Sequence, residues 1–348
     1  MKAQILERVA FLRDDPEPLR LVDLPVPVPG AGEILVRVSA CGVCHTELDE
    51  IEGRTPPPEL PIVLGHEVVG RVEKPGPGTS RHKPGDRVGI AWIYSSCGRC
   101  RFCKSGLENL CPDFRATGRD ADGGYAEFMV VPEDSAYPIP EVFSDLEAAP
   151  LLCAGVIGHR ALRLTGLEDG ETLGLFGFGA SAHIVIQIAK HKFRKSKVFV
   201  FTRPGQKAHQ ELARRLGADW VGATGEEPPE RLNRAIDFTP AWAPIVFGMR
   251  ALAPGGRMVV NAIRKEGQDK EALLKLDYAR DFWQEKELKS VANVTRQDAL
   301  MFLPLAGEIP IKPTVQEFKL EDTNQALNLL KEGRIQGAAV LAIGDDDS

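Results

Sequence analysis

A chain of 348 residues is longer than one hydrophobic core usually organises, and its 43% hydrophobic and 26% charged content is that of a globular protein of two domains. The net charge of -6 comes from acidic and basic residues mixed along the chain, without the basic stripe that holds a phosphate backbone, which excludes nucleic acid as a partner. No run reaches the length of a membrane span, and Met1-Lys2-Ala3-Gln4-Ile5-Leu6-Glu7-Arg8 lacks a signal-peptide core; the expectation is a cytoplasmic protein that does not meet a membrane.

From Ile34 to about Pro140 the pattern is one of short β-type runs cut by Gly and Pro: Ile34 to Val38, Val68 to Val72, Arg87 to Ile90 and Glu127 to Val131. Strands so spaced, with no long helical pattern between them, predict a compact barrel-like β domain. Chemistry-bearing residues are set into it. Cys41-Gly42-Val43-Cys44-His45-Thr46-Glu47 is followed by Gly65-His66-Glu67, and then by Cys97, Cys100, Cys103 and Cys111 on one Gly- and Pro-bearing loop. Seven cysteines, an odd number at short spacings, fit reduced thiols holding metal better than a disulfide framework. Four thiolates on one loop complete a tetrahedron and leave no room for substrate, so the loop is expected to carry a structural zinc. Cys153 lies alone in the apolar run Ala149 to Gly155. A Cys, a His and a distant Cys can hold a second zinc with one position open, as a catalytic site requires. By spacing alone, His66 is equally well a core histidine and Cys153 a small apolar filler.

The character changes near Gly155. Helical spacing from Gly158 to Leu167 is followed by an apolar strand, Thr172 to Phe176, which runs into Gly177-Phe178-Gly179-Ala180-Ser181-Ala182 and a helix through Ile184, Ile188 and Ala189. The strand Val198 to Phe201, a helix near Glu211 to Leu216, the strand Ala235 to Phe238, and Arg257 to Val260 after the turn Pro254-Gly255-Gly256 continue the alternation. It predicts a parallel sheet with helices on both faces. In the glycine turn, Gly177 permits the tight bend, Gly179 lets backbone approach a pyrophosphate, and Ala182 allows the helix to pack closely on the sheet. An NAD site places an acid at the end of the next strand, but no Asp or Glu occurs from His191 through Gln210, and Thr202-Arg203 stands there instead. A guanidinium fork and a hydroxyl donor suit a 2′-phosphate, so NADP(H) is the expected cofactor, with NAD(H) possible. The tail adds a helix from about Asp298, a β-type run from Val315 to Leu320, a helix from about Asp322 to Lys331 and a strand at Ala339 to Leu341. It ends on the acidic Asp345-Asp346-Asp347-Ser348, read as solvated.

Cys44-His45-Thr46, Gly65-His66-Glu67, the four-Cys loop, Leu152-Cys153-Ala154-Gly155 and the glycine turn, in this order and at these intervals, resemble the zinc-containing alcohol dehydrogenases of the medium-chain dehydrogenase/reductase family. The resemblance covers essentially the whole chain. It implies an α/β protein with a GroES-like β-rich catalytic domain (1–154 and 297–348) and a Rossmann dinucleotide-binding domain (155–296), with the active site in the cleft between them. It implies Cys44, His66 and Cys153 as catalytic zinc ligands and Cys97, Cys100, Cys103 and Cys111 as structural ones. Cys41 is left to packing. Thr46 would be the first proton-relay group, His45 would lie near the pyrophosphate, Glu67 behind the metal ligands, and Trp92 in the wall of the substrate pocket. The reaction implied is hydride transfer between a small alcohol or aldehyde (or ketone) and the nicotinamide, in a homodimer or homotetramer. Three positions depart from the family pattern: Glu47 replaces an Asp, Asp49 replaces the relay His, and Ala338 replaces a basic residue, with Arg334 nearby. Asp49 and Ala338 keep open a zinc-stabilised nucleotide-binding protein without turnover, and the four-Cys loop, a device that binding proteins also use, keeps open a zinc-ribbon interaction module; the intact set of Cys44, His66 and Cys153 argues against both.

Overall fold

In the computed structural model, which describes residues 1–309, 311–335 and 337–344, the segment Glu33–Val43 forms a strand of 11 residues buried at most positions. Its β-branched Ile34, Val36 and Val38 fit a pleated, covered surface. It is the spine of a seven-stranded sheet. Val68–Pro75 pairs antiparallel along one edge, with two register shifts that bend the spine; Phe128–Pro132 pairs with its first half and Ala338–Ala342 with its last residues. Arg87–Ile90 and Ala136–Pro138 extend one side and Val315–Lys319 the other. A three-stranded sheet of Leu19–Asp23, Lys2–Leu6 and Ile62–Val63 closes over the same core, in which Ile34, Val36, Val68, Val72, Met129 and Leu341 are buried together.

The spine stops at Val43 because Cys44 turns the chain into the helix His45–Ile51. Cys44 has extended backbone angles, and its amide donates to the Glu47 carboxylate at 2.8 Å, which satisfies a donor the helix cannot. The helix buries Thr46 through Ile51, four acids included in that stretch or just after it: Glu47, Asp49, Glu50 and Glu52. Arg54 reaches back to two of them, donating Nε to Asp49 at 2.5 Å and Nη1 to Glu52 at 2.7 Å, and Lys331 pairs with Glu52 as well. Burial opposes ionisation of Glu52, but Lys331, Arg54 and the Leu12 amide outweigh it and hold the carboxyl below its usual 4.5. A depressed carboxyl stabilises the fold above its unfolded value, and that contribution is lost as pH falls through 4.5 and then through the lower folded value. Glu52→Gln is therefore expected to cost about 2 kcal/mol at neutral pH. Denaturant melts of both proteins across acid pH should show the gap closing below the carboxylate range.

The chain divides into two compact units, Ile157–Asn293 being the second and Met1–Val156 with the chain from Val294 onward the first. The second unit's six strands, in spatial order Trp220–Ala223, Lys197–Thr202, Thr172–Phe176, Leu232–Asp237, Leu252–Val260 and Glu287–Ser290, are all parallel. Numbered along the chain this is 3-2-1-4-5-6, the order of a doubly wound dinucleotide-binding sheet. The turn expected at Pro254-Gly255-Gly256 is instead part of the strand Leu252–Val260. The pairing shifts register between Leu232 and Arg234, and Gly255 takes φ 68 to absorb the irregularity. The acidic residues 345–348 lie outside the described residues. Among those described, no helix is long and apolar enough to cross a membrane.

Candidate active site

In the first unit the spine strand and its helix bring distant donors together. Cys44 Sγ, a ring nitrogen of His66, a carboxylate oxygen of Glu67 and Cys153 Sγ all lie within 4.8 Å of one another. The two sulfurs are 3.9 Å apart, close to the roughly 3.8 Å edge of a tetrahedron with Zn–S bonds of about 2.3 Å. His66 Nδ1 lies 2.5 Å from Glu47 Oε1, at the second end of the carboxylate that holds the Cys44 amide. With Nδ1–H donating to the carboxylate, Nε2 keeps its lone pair for the cluster. The longer side chain of Glu47 thus serves two members of the set at once. Trp92, almost fully buried, meets the His66 ring edge-on with centroids 5.0 Å apart, and Thr46 Oγ1 lies 3.6 Å from Cys44 Sγ.

The electrostatics of this set favour a cation. The hydrogen bond with Cys153 and the adjacent His66 pull Cys44 well below the usual thiol range despite burial, while the same bond pushes Cys153 up. Burial, and then the charge of Cys44, push Glu67 well above the usual carboxylate range. Excess buried negative charge is what a divalent ion relieves.

Glu67, expected behind the ligands, is within the donor set itself. Residues 64–67 are irregular, with Gly65 at φ 99, so His66 and Glu67 are not sent to opposite faces as successive strand residues would be. Gly42 makes the room, since a methyl group there would overlap the Glu67 carboxylate. Cys41 lies outside the set, fully buried on the spine opposite Val68 and Leu341. Asp49 is buried and held by Arg54, so the carboxylate at the relay-His position already has a cationic partner. His45 is exposed at the start of the helix. Arg334 is exposed and pairs with Glu332.

The four-Cys loop makes a second cluster, with Cys97, Cys100, Cys103 and Cys111 donors mutually within 4.8 Å. Sulfur separations are 3.9 Å for Cys97–Cys103 and 3.6 Å for Cys100–Cys103. Backbone amides point at the sulfurs: Cys100 N donates to Cys97 Sγ and Cys103 N to Cys100 Sγ. Amides of Arg99 and Cys100 draw the Cys97 thiol down to about 6. All seven cysteines are free of disulfides.

In the second unit, Thr172–Phe176 runs into Gly177 at φ 86, where a side chain would meet Thr239. Gly179 caps the helix Ala180–Lys192, and nothing lies within 4 Å of where its Cβ would be, leaving space for a ligand against the backbone. Ala182 is fully buried in that helix. At the end of Lys197–Thr202, the Thr202 side chain is buried: it donates to the Arg203 carbonyl and accepts from Gln210 Nε2 at 2.9 Å. Its hydroxyl is thus engaged within the protein, which leaves the exposed Arg203 as the group at that strand end able to meet an anion.

The family model for the alcohol dehydrogenase GroES-like domain matches residues 30–141, the stretch of the β-rich unit that holds the spine, His66 and the four-Cys loop. A probable alcohol dehydrogenase, AdhA, of Mycobacterium tuberculosis is 42% identical over 94% of this chain and 94% of its own length. The crystal structure of an NAD-dependent alcohol dehydrogenase superposes with a TM-score of 0.87 at 29% identity, covering 99% of this chain and 100% of that one. A cobalt- and zinc-bound thermostable alcohol dehydrogenase from Pyrobaculum aerophilum does so with a TM-score of 0.85 at 26% identity, covering 98% and 99%. The chain is a medium-chain dehydrogenase/reductase. Within that family it belongs with the alcohol dehydrogenases of the zinc-containing type.

Proposed function

We propose that this alcohol dehydrogenase is zinc-dependent, interconverts a small alcohol with its aldehyde or ketone, and prefers NADP(H). The observation that carries the reading is the convergence of Cys44, His66 and Cys153 on one point with sulfur spacing suited to zinc. A zinc ion bound there supplies Lewis acidity toward the alcohol oxygen, and the nicotinamide supplies the hydride acceptor. The chain's residues do the rest. Glu47 orients the imidazole of His66 and steadies the amide of Cys44. Thr46, beside Cys44, takes the substrate proton and hands it outward. Asp49 acts as a positioning residue, since Arg54 already matches its charge. Trp92 walls the substrate, and Glu67 lies close enough to replace a departing ligand. Cys97, Cys100, Cys103 and Cys111 hold a structural zinc. Metal analysis tests this: each cluster should carry one zinc, and removing the exchangeable one should abolish turnover. A lone non-exchangeable zinc without turnover on any alcohol would leave only a zinc-stabilised nucleotide-binding protein.

For the cofactor, Gly177, Gly179 and Ala182 form the pyrophosphate turn, and Arg203 takes the 2′-phosphate. The buried Thr202 contributes by fixing the strand end rather than by a free donor. Arg203→Ala should raise the KM for NADP(H) by about tenfold or more and barely move that for NAD(H), as steady-state kinetics with each cofactor would show. An unmutated enzyme that favours NAD(H) by tenfold would overturn the assignment. We place the protein in the reducing cytoplasm, consistent with seven free thiols, and expect a homodimer or homotetramer. The exposed edge strand Glu287–Ser290, with Leu288 and the nearby Trp283 also exposed, supports self-association.

A further inference from the structure

At the carboxyl ends of the parallel strands, an ion pair is buried where the chain leaves Leu232–Asp237. The Asp237 side chain is 0% exposed and that of Lys265, beyond the end of Leu252–Val260, is 10% exposed. The ammonium group of Lys265 has three donors and all are engaged: the Asp237 carboxylate takes one, and the carbonyls of Thr239 and Ala241 accept the others at 2.7 and 2.9 Å. The second oxygen of Asp237 accepts from the Thr239 amide at 3.0 Å and from its hydroxyl at 2.7 Å. Both members of the pair thus grip residues 239–241. Backbone bonds tie the same segment to the chain after Val260: Asn261 donates to the Asp237 carbonyl and Glu266 to that of Pro240, each at 2.8 Å.

Stability does not account for this pair. Replacing a buried ion pair with uncharged groups is often neutral or stabilising, because the cost of desolvating two charges offsets their attraction. Burial, outweighing Lys265 and Thr239, leaves the Asp237 carboxyl above its usual 3.8, so ionising it costs the folded state more than the unfolded chain. What the pair does is fix Thr239. The Thr239 methyl would lie 2.9 Å from a Cβ at Gly177, and the Phe238 amide donates to the Phe176 carbonyl at 2.9 Å, so the gripped segment lies directly against the glycine turn. A doubly wound sheet takes a dinucleotide across the carboxyl ends of its strands, one nucleotide to each half, and the half that ends in Thr202 and Arg203 is the adenine one. Residues 238–241 and 261–266 form the rim of the other half.

We propose that Asp237 and Lys265 are a positioning pair that, acting through Thr239, fixes the rim on which the nicotinamide nucleotide rests and so sets affinity for that half of the cofactor. This rests on the dehydrogenase reading above. Neither side chain has a group left to offer the cofactor itself, since the three donors of Lys265 and both oxygens of Asp237 are engaged within the protein. The pair works by holding the backbone of 239–241 in the course that keeps Thr239 against Gly177.

The test is calorimetric titration of the intact dinucleotide NADP+ and of adenosine 2′,5′-bisphosphate, which fills the adenine half alone. The proteins are the wild type, Asp237→Asn, and the double variant Asp237→Asn with Lys265→Met. The asparagine keeps an oxygen for Thr239 and leaves no unpaired buried charge. In the double variant the Kd for NADP+ should rise about tenfold while that for the fragment stays within about twofold, and the melting temperature should fall by no more than about 4 °C. Asp237→Asn alone should raise the Kd for NADP+ about threefold, with the fragment again unmoved. If the wild type binds NAD+ more tightly, NAD+ and AMP take the places of the two ligands. Unchanged dinucleotide binding in either variant overturns the proposal. So does equal weakening of dinucleotide and fragment, which is what a general loss of structure would produce. Should the double variant fail to fold, the single variant decides by the same criteria. A wild type that binds neither dinucleotide would instead overturn the dehydrogenase reading.

Discussion

Cys44→Ser is expected to lower alcohol oxidation by on the order of a thousandfold or more, with loss of the exchangeable zinc, whereas Cys41→Ser is expected to leave kcat within about twofold. The two thiols are three residues apart and chemically identical, but the spine strand ends between them. Cys41 is still in the sheet, fully buried opposite Leu341, and its weak hydrogen bond runs to the Gly42 carbonyl. Cys44 has left the sheet, caps the helix and lies 3.9 Å from Cys153. A hydroxyl at Cys41 costs about 1 kcal/mol of stability for burying a more polar atom. At Cys44 it removes a thiolate from the donor set and leaves the buried Glu67 with less reason to be where it is. Zinc content, turnover and melting temperature of both variants check this, and the reverse pattern would mean the ligand has been placed on the wrong thiol.

The second large effect is expected at Cys100. The helix Arg101–Lys104 in the four-Cys loop has only four residues and none of them is buried, so the loop has almost no core to hold its shape. Cys100 caps that helix, accepting from the Cys103 amide, and lies 3.6 Å from Cys103 Sγ. Cys100→Ser should release the zinc of this cluster, lower the melting temperature by about 5 °C or more, and speed amide exchange over residues 95–115 while the other zinc stays bound. Equal loss of both zincs at an unchanged melting temperature would show that the ligands have been sorted wrongly.

The inner strands of the parallel sheet were legible because they carry apolar runs such as Thr172–Phe176 and because the glycine turn sits between one strand and one helix, a signal carried by adjacent residues; the edge strands Trp220–Ala223 and Glu287–Ser290 were not, the latter being exposed at every position. The strands Lys2–Leu6 and Leu19–Asp23 were not: each has five residues, and Lys2–Leu6 is stabilised partly by Ile62–Val63, which no local pattern connects to it. The position of Glu67 needed the positive φ of Gly65 and the missing side chain of Gly42, both backbone facts. Glu50 was invisible for another reason. A run of acids on a short segment reads as a solvated face, and only packing shows that Glu47, Asp49 and Glu50 are all inside and that the last has no partner.

The spine strand that delivers Cys44 is completed by Ala338–Ala342, which pairs Ala339 with Val43 across almost the whole length of the chain. During synthesis, the contiguous parallel-sheet unit therefore emerges in full and can fold while the β-rich unit still lacks a strand. Until the last strand arrives, the hydrogen-bonding edge beside Cys41, Gly42 and Val43 stays open, a hazard for pairing with other nascent chains. Completion of the sheet beside Cys44 therefore waits until residues 338–342 have been made, and chains stalled before that point are vulnerable at that edge.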